Sequence, residues 1–220
     1  MEFNPKAHKR SRAFLLLVML FLVSALGYFT LFHKRPVQRL DICRLMQAHP
    51  DWYFDAKASE KKWGVPVSVQ LAIIQQESQF ISNAKPIKEK IFGIFKVAES
   101  SALGYAQVVD ATWRYYLEET HQYSADRQRF DKAVDFIGWF VNKAHQRLKF
   151  PKNDAYKAYL TYHEGFIGYK RHSYLKKAWL QHVARKVQRN AAHYHLELAR
   201  CKIRKSLYQN TEKVYITDRR

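Results

Sequence analysis

Apolar positions along this chain follow helical spacing almost throughout. The first block, 13–32, is twenty consecutive residues without a charge, long enough as a helix to cross the ~30 Å hydrocarbon core of a bilayer. It closes at His33-Lys34-Arg35, and a linker over 33–40 leads into the rest. Segments 37–48 and 52–62 then read as two helices divided by His49-Pro50-Asp51, with Asp51 suited to cap the second. Next comes a stretch in which Leu71, Ile73 and Ile74 lie too close together for a one-sided stripe. Gly64 interrupts what precedes it and Pro66 suits a first helical position, so a helix buried nearly all round is expected to end at Glu77.

Residues 81–108, with Pro86 and Gly93, lack periodicity and read as a long loop that covers or flanks a site. A helix opens at Asp110 or Thr112 and runs through Trp113, Tyr116 and Leu117. Over 131–149, Ala133, Val134, Ile137, Phe140, Val141 and Ala144 recur at three-and-four spacing. The segment 154–162 sets Ala155, Ala158, Tyr159 and Tyr162 on one side, and a long last helix runs from His172 or Ser173 to Ala199 with a basic outer face. No β alternation and no repeat occurs. The expected architecture is mostly α, a helical domain over 41–201 with a basic tail at 202–220.

Composition narrows this picture. With 47% apolar and 15% aromatic residues the chain is not a disordered one, and 7 Gly and 6 Pro are few for a turn-rich β protein. A formal charge of +19 draws it to polyanions, nucleic acid being the first to consider. The apolar span argues against that partner. Lys6, Lys9, Arg10 and Arg12 in the leading segment 1–12, against Lys34, Arg35 and Arg39 after the span, favour a cytoplasmic N-terminus. Val23-Ser24-Ala25 is a weak cleavage candidate, so an uncleaved single-pass anchor is expected, with the domain outside the cytoplasm. No nucleic acid is expected there.

The two cysteines, Cys43 and Cys201, bracket the folded part, and an oxidising compartment lets them bridge. Such a loop contributes about 5 kcal/mol in the chain-entropy treatment. Two separate buried thiols are the alternative. No cofactor is expected, and no metal either: His163-Glu164 lacks the second histidine of an H-E-x-x-H helix, and His193 and His195 point to different sides of theirs.

Glu77 is the candidate for chemistry. An acid at the C-terminal end of a buried helix faces both desolvation and the negative end of the helix dipole, and both raise its pKa. A carboxyl that holds its proton near neutrality is what a general acid for glycosidic cleavage needs. An exposed helix-end glutamate is the plainer reading of the same run.

Glu77-Ser78-Gln79-Phe80 resembles the E-S-x-F motif of the soluble-lytic-transglycosylase-like family, lysozyme-like enzymes that cut peptidoglycan glycan strands. Gly104-Tyr105-Ala106-Gln107 is similar to the family's G-L-M-Q in its Gly and Gln only. Ala158-Tyr159-Leu160-Thr161-Tyr162-His163-Glu164-Gly165 resembles A-Y-N-x-G, with His163 where Asn is usual and Glu164 beside it. With Gly168-Tyr169-Lys170-Arg171 and Trp179-Leu180, the likeness extends over about 41–201, to a periplasmic or lipoprotein branch in which a cysteine near each end is usual. The resemblance implies that Glu77 is the catalytic acid and base. Ser78 and Gln107 then hold the acid or an N-acetyl sugar, Gly104 admits the sugar closely, and Tyr162 lines the cleft. His163 would take the place of the usual Asn, with Glu164 and Tyr105 beside the substrate. Phe92, Tyr105 and Trp113 are candidates to stack on sugars, core packing being the alternative.

The implied reaction leaves 1,6-anhydro-N-acetylmuramic acid ends without adding water, for wall remodelling or insertion of an envelope machine. The resemblance also implies that the anchor lies in a bacterial inner membrane with the domain in the periplasm, where peptidoglycan, anionic lipid and lipopolysaccharide are the polyanions. Two alternatives stand beside it. A second carboxylate, Glu164 first, then Asp110 or Asp126, would make the enzyme a hydrolytic muramidase. An altered third motif would suit a non-catalytic peptidoglycan-binding scaffold in an envelope or secretion complex.

Overall fold

The computed structural model describes residues 18–21, 23–24, 40–85 and 100–203. The chain divides into two units, Met1–Leu40 and Asp41–Arg220. In the first, 18–21 and 23–24 are helical and exposed, with the Ser24 hydroxyl donating to the Phe21 carbonyl at 2.8 Å. The span expected at 13–32 therefore lies mostly outside the described residues. Among the described residues no helix is long and apolar enough to cross a membrane.

The second unit is helical: α1 Ile42–Ala48, α2 Pro50–Trp63, α3 Val67–Ser78, α4 Asp110–Thr120, α5 Phe130–Leu148, α6 Ala155–Lys170, a 3-10 turn Ser173–Lys176, and α7 Ala178–Arg200. An isolated bridge between Leu103 and Val108 is the one β interaction among the described residues. Of the expected loop 81–108, residues 86–99, including Pro86, Phe92 and Gly93, lie outside the described ones, as do 204–220 of the tail.

α3 is the axis of this unit. Every residue from Val67 to Ile74 is buried, because α2, α5, α6 and α7 all pack on it. An all-round apolar sequence has no solvent face to offer, so it is stable only when enclosed. The Gln70 amide nitrogen, fully buried, donates to the Val65 carbonyl at 2.8 Å and fixes the turn that feeds the helix.

Several boundaries differ from the sequence expectation. α2 starts at Pro50, whose missing N–H costs nothing at a first helical position, so Asp51 lies inside the first turn rather than capping it. The last helix starts at Ala178, not at His172 or Ser173, because His172 takes a left-handed conformation and a 3-10 turn intervenes. α6 runs eight residues beyond Tyr162, kinked at Gly165, whose φ of 72° and ψ of 170° are accessible essentially to glycine alone.

The ends of the unit are tied together. Cys43 and Cys201 form a disulfide with Cα atoms 5.6 Å apart, which decides between bridge and separate thiols. The Glu197 carboxylate on α7 accepts the Ile42 N–H at 3.1 Å, and the Asp41 carboxylate accepts that of Arg44 at 2.9 Å, supplying partners for the start of α1. Elsewhere Asp135 on α5 joins three elements by accepting from Lys62 and Trp63 of α2 and Tyr116 of α4, the last at 2.6 Å.

Candidate active site

α3 delivers Glu77 to its last turn, where the helix stops abruptly. Gln79 and Phe80 both hold left-handed conformations, at φ 53° and 63°, strained positions for side-chain-bearing residues. That turn carries the Phe80 ring to Trp52 of α2, 5.9 Å between centroids. Glu77 itself is partly covered, neither sealed nor open to solvent. Burial of its carboxyl pushes the pKa up from 4.5 to about 7, against a hydrogen bond from Tyr159 that favours the ionised form. No neighbouring charge contributes to the shift.

α6 supplies two tyrosines, Tyr159 and Tyr162, three residues apart and so on one helix face. Tyr159 is buried, and its hydroxyl bonds to Glu77. Tyr162 is pushed well above the ordinary tyrosine range by burial first, then by the charges of Glu77 and Tyr159. Its hydroxyl donates to the Ala106 carbonyl at 2.5 Å. Tyr162 thus ties α6 to the turn at 104–107.

A second link joins that turn to the segment after Glu77. The Ala84 carbonyl accepts both the Gly104 N–H, at 3.1 Å, and the Gln107 side-chain amide, at 2.7 Å. Gln107 also donates to the Gly104 carbonyl at 2.9 Å. Both amide hydrogens are therefore used within the loop, and only the side-chain carbonyl oxygen remains to meet a ligand. The Tyr105 ring, edge-on to Trp52 and Phe130, closes the contact through the same aromatic cluster that holds Phe80. The stretches 77–80, 104–107 and 159–162 are thereby connected, through Ala84, Tyr162 and Tyr159.

Residues 13–201 match the family described as Transglycosylase SLT domain. The chain belongs to that family. No curated protein and no solved structure matches it.

Other expected site residues take different places in the SLT domain. Ser78 is buried, and its hydroxyl donates to the Ile74 carbonyl four residues back, so its hydrogen closes the helix end instead of reaching across a cleft. Gly104, at φ 82°, faces backbone: a Cβ there would stand 2.4 Å from the Arg127 carbonyl oxygen, so the close approach its missing side chain allows is to residue 127. Tyr105 and Trp113 are both buried, the latter against Tyr116 and Phe136.

Glu164 is turned into the corner between α6 and α7. Its carboxylate, 4% exposed, accepts from Ser173, from Lys177 at 2.7 Å, and lies 3.0 Å from the His163 ring nitrogen. Burial alone would raise its pKa, but the bonds from Lys177, Ser173 and His163 prevail and hold it at about 2. His163 is exposed and stands edge-on to Trp179, 5.1 Å between ring centroids. Asp110 pairs with Arg127 at 2.5 Å, and Asp126 accepts the Gln128 N–H at 2.8 Å.

Tyr159 is the residue the motif reading passed over. The signal was in the sequence: its three-residue spacing from Tyr162 puts the two phenols on one face of α6.

Proposed function

We propose that this SLT domain is a peptidoglycan lytic transglycosylase that cleaves the β-1,4 bond from N-acetylmuramic acid to N-acetylglucosamine and leaves 1,6-anhydro ends. The carrying observation is Glu77, a single partly buried acid with a pKa near 7 and no second carboxylate acting on it. One group able to give and then take a proton at neutral pH matches a reaction that needs both steps from the same residue.

In this reading the Glu77 carboxyl donates its proton to the glycosidic oxygen as the bond from that oxygen to C1 of the muramic sugar breaks. The leaving sugar departs with a free hydroxyl, and positive charge develops at C1. The resulting Glu77 carboxylate takes the proton of the same sugar's 6-hydroxyl while its oxygen bonds to C1. The acid is restored and no water is consumed. The Tyr159 hydroxyl supports the carboxylate between the two steps, and the free carbonyl oxygen of Gln107 accepts the N–H of an N-acetyl group. Tyr162 holds the 104–107 turn against the acid.

Hydrolysis would need a carboxylate positioned to activate water. Glu164 is fully engaged with Lys177, Ser173 and His163, which favours the lytic over the hydrolytic outcome. The residues 13–32 would hold the domain at the bacterial inner membrane on its periplasmic side, where it would act in wall remodelling or in admitting an envelope assembly.

Digestion of purified peptidoglycan followed by mass analysis of the muropeptides tests the reading. Anhydro ends are expected from the parent chain, with a loss of about a thousandfold or more in Glu77→Gln, since a general acid is worth at least 100-fold and here one residue serves both proton transfers. Hydrated ends alone would overturn it, and no turnover by either protein would point to the scaffold.

A further inference from the structure

α6 keeps helical geometry up to its break at Gly165, so His163 lies one turn beyond Tyr159, the residue bonded to Glu77, and on the same helix face. Unlike Tyr159, it is exposed. Its ring is held from behind, where the Glu164 carboxylate, braced by Ser173 and by Lys177 at 2.7 Å, meets Nδ1 at 3.0 Å. An ionised carboxylate only accepts, so Nδ1 carries the hydrogen and donates, and in the neutral ring Nε2 is an acceptor. Nε2 meets no partner among the described residues. Trp179, the second residue of α7, stands against this imidazole. Of five tryptophans, Trp52, Trp63, Trp113 and Trp139 are buried or half-buried, whereas Trp179 is 57% exposed. Its one ring contact among the described residues is the T-shaped one with His163, which covers at most one face of the indole. A large apolar ring left in water at this point fills no core.

We propose that His163 and Trp179 form a sugar subsite that extends the Glu77 site along the glycan strand. The open face of Trp179 stacks on a pyranose ring, and His163 Nε2 accepts a hydroxyl or N–H of the same sugar. Glu164 touches no sugar and is a positioning residue that aims the imidazole. A β-1,4-linked N-acetylhexosamine carries its ring substituents equatorially, so its two faces are C–H surfaces that fit a flat aromatic ring, with polar groups at the edge for a nearby acceptor. Continuity with Tyr159 along one face of α6 is what selects a sugar as the occupant, and in that choice the subsite rests on the proposed function.

The test is titration of the full-length chain in detergent, carrying Glu77→Gln so that nothing is digested, with a β-1,4 N-acetylglucosamine hexamer. The probe is uncharged, so the formal +19 of the chain does not attract it. Calorimetry reads affinity and tryptophan emission reads contact. We expect saturable binding with a change in emission. Trp179→Ala weakens binding about tenfold, whereas Trp179→Phe keeps most of the affinity and loses the emission change, which assigns that signal. Leu175→Ala, at a comparably exposed position on the preceding 3-10 turn, leaves both intact. His163→Phe keeps the ring contact without its nitrogens and weakens binding about two- to tenfold. Glu164→Gln weakens binding when His163 is present and adds nothing to His163→Phe, because it acts through that ring. An equal loss in both backgrounds overturns the positioning role. Unchanged affinity in Trp179→Ala, an equal loss in Leu175→Ala, or no binding by the chain that carries only Glu77→Gln overturns the subsite. So does a Trp179 emission change on transfer into phosphatidylglycerol nanodiscs with none on adding the hexamer, which assigns the ring to a lipid surface. Hexamer binding that ignores Trp179 sinks the subsite and leaves the glycan reading in place, while Trp179-dependent binding without anhydro ends does the reverse.

Discussion

At the scale of single residues, Glu77 combines two properties that follow from one cause. Its burial keeps a substantial share of the carboxyl protonated at neutral pH, and the same burial makes the ionised form costly to the fold. A reaction that needs the protonated acid should decline on the alkaline side with a midpoint at about pH 7. The Tyr159 hydroxyl favours the carboxylate, so Tyr159→Phe should raise the pKa and move that limb to higher pH. A pH profile of kcat/KM on purified glycan strands reads this directly, and an unmoved limb would mean the bond is absent in solution. Stability gives a second readout. The folded pKa, about 7, exceeds the ordinary 4.5, so stability is fully present below about pH 4.5 and is lost as pH rises through 7. That difference is worth roughly 3 kcal/mol at most. Glu77→Gln should therefore be more stable than the parent at pH 8 by up to about that amount, and equal to it near pH 4, by urea unfolding at the two pH values.

At the scale of elements, the site depends on how closely the helices around α3 approach. α5 meets α2 through Gly138, where a Cβ would stand 2.4 Å from the Ser59 hydroxyl and 2.6 Å from the Trp63 ring. Ser59 is itself buried and donates to the Val134 carbonyl at 2.9 Å, so it cannot simply move aside. Gly138→Ala gains about 1 kcal/mol in helix propensity but overfills the contact by about 1–3 kcal/mol. A net loss of up to about 2 kcal/mol is expected, measured by urea unfolding. The element boundaries show where periodicity stops being informative. Apolar spacing located the cores of α3 and α5, whereas the starts of α2 and α7 were set by Pro50 and by the left-handed His172, local geometries that the spacing of apolar residues does not encode.

At the scale of the whole molecule, the Cys43–Cys201 disulfide ties the start of α1 to the end of α7 across a separation of 158 residues. Closing so long a loop contributes about 5 kcal/mol in the chain-entropy treatment, so Cys43→Ser/Cys201→Ser should lower Tm by about 10–20 °C, read by calorimetry. A drop of only a few degrees would show that the unfolded chain keeps its ends together without the bond. What the sequence determined by itself was the helical class, the enclosed helix ending in an acid, and the order of the three motif stretches. These are properties of local spacing and of residue type. The tertiary structure alone decided which side chains meet. It gave the bond to Glu77 to Tyr159, turned Glu164 into a corner with Lys177 and Ser173, spent the amide hydrogens of Gln107 on Ala84 and Gly104, and set Gly104 against Arg127. Residues distant in sequence become partners only when packing fixes the direction of each side chain, and no pattern along one chain carries that direction.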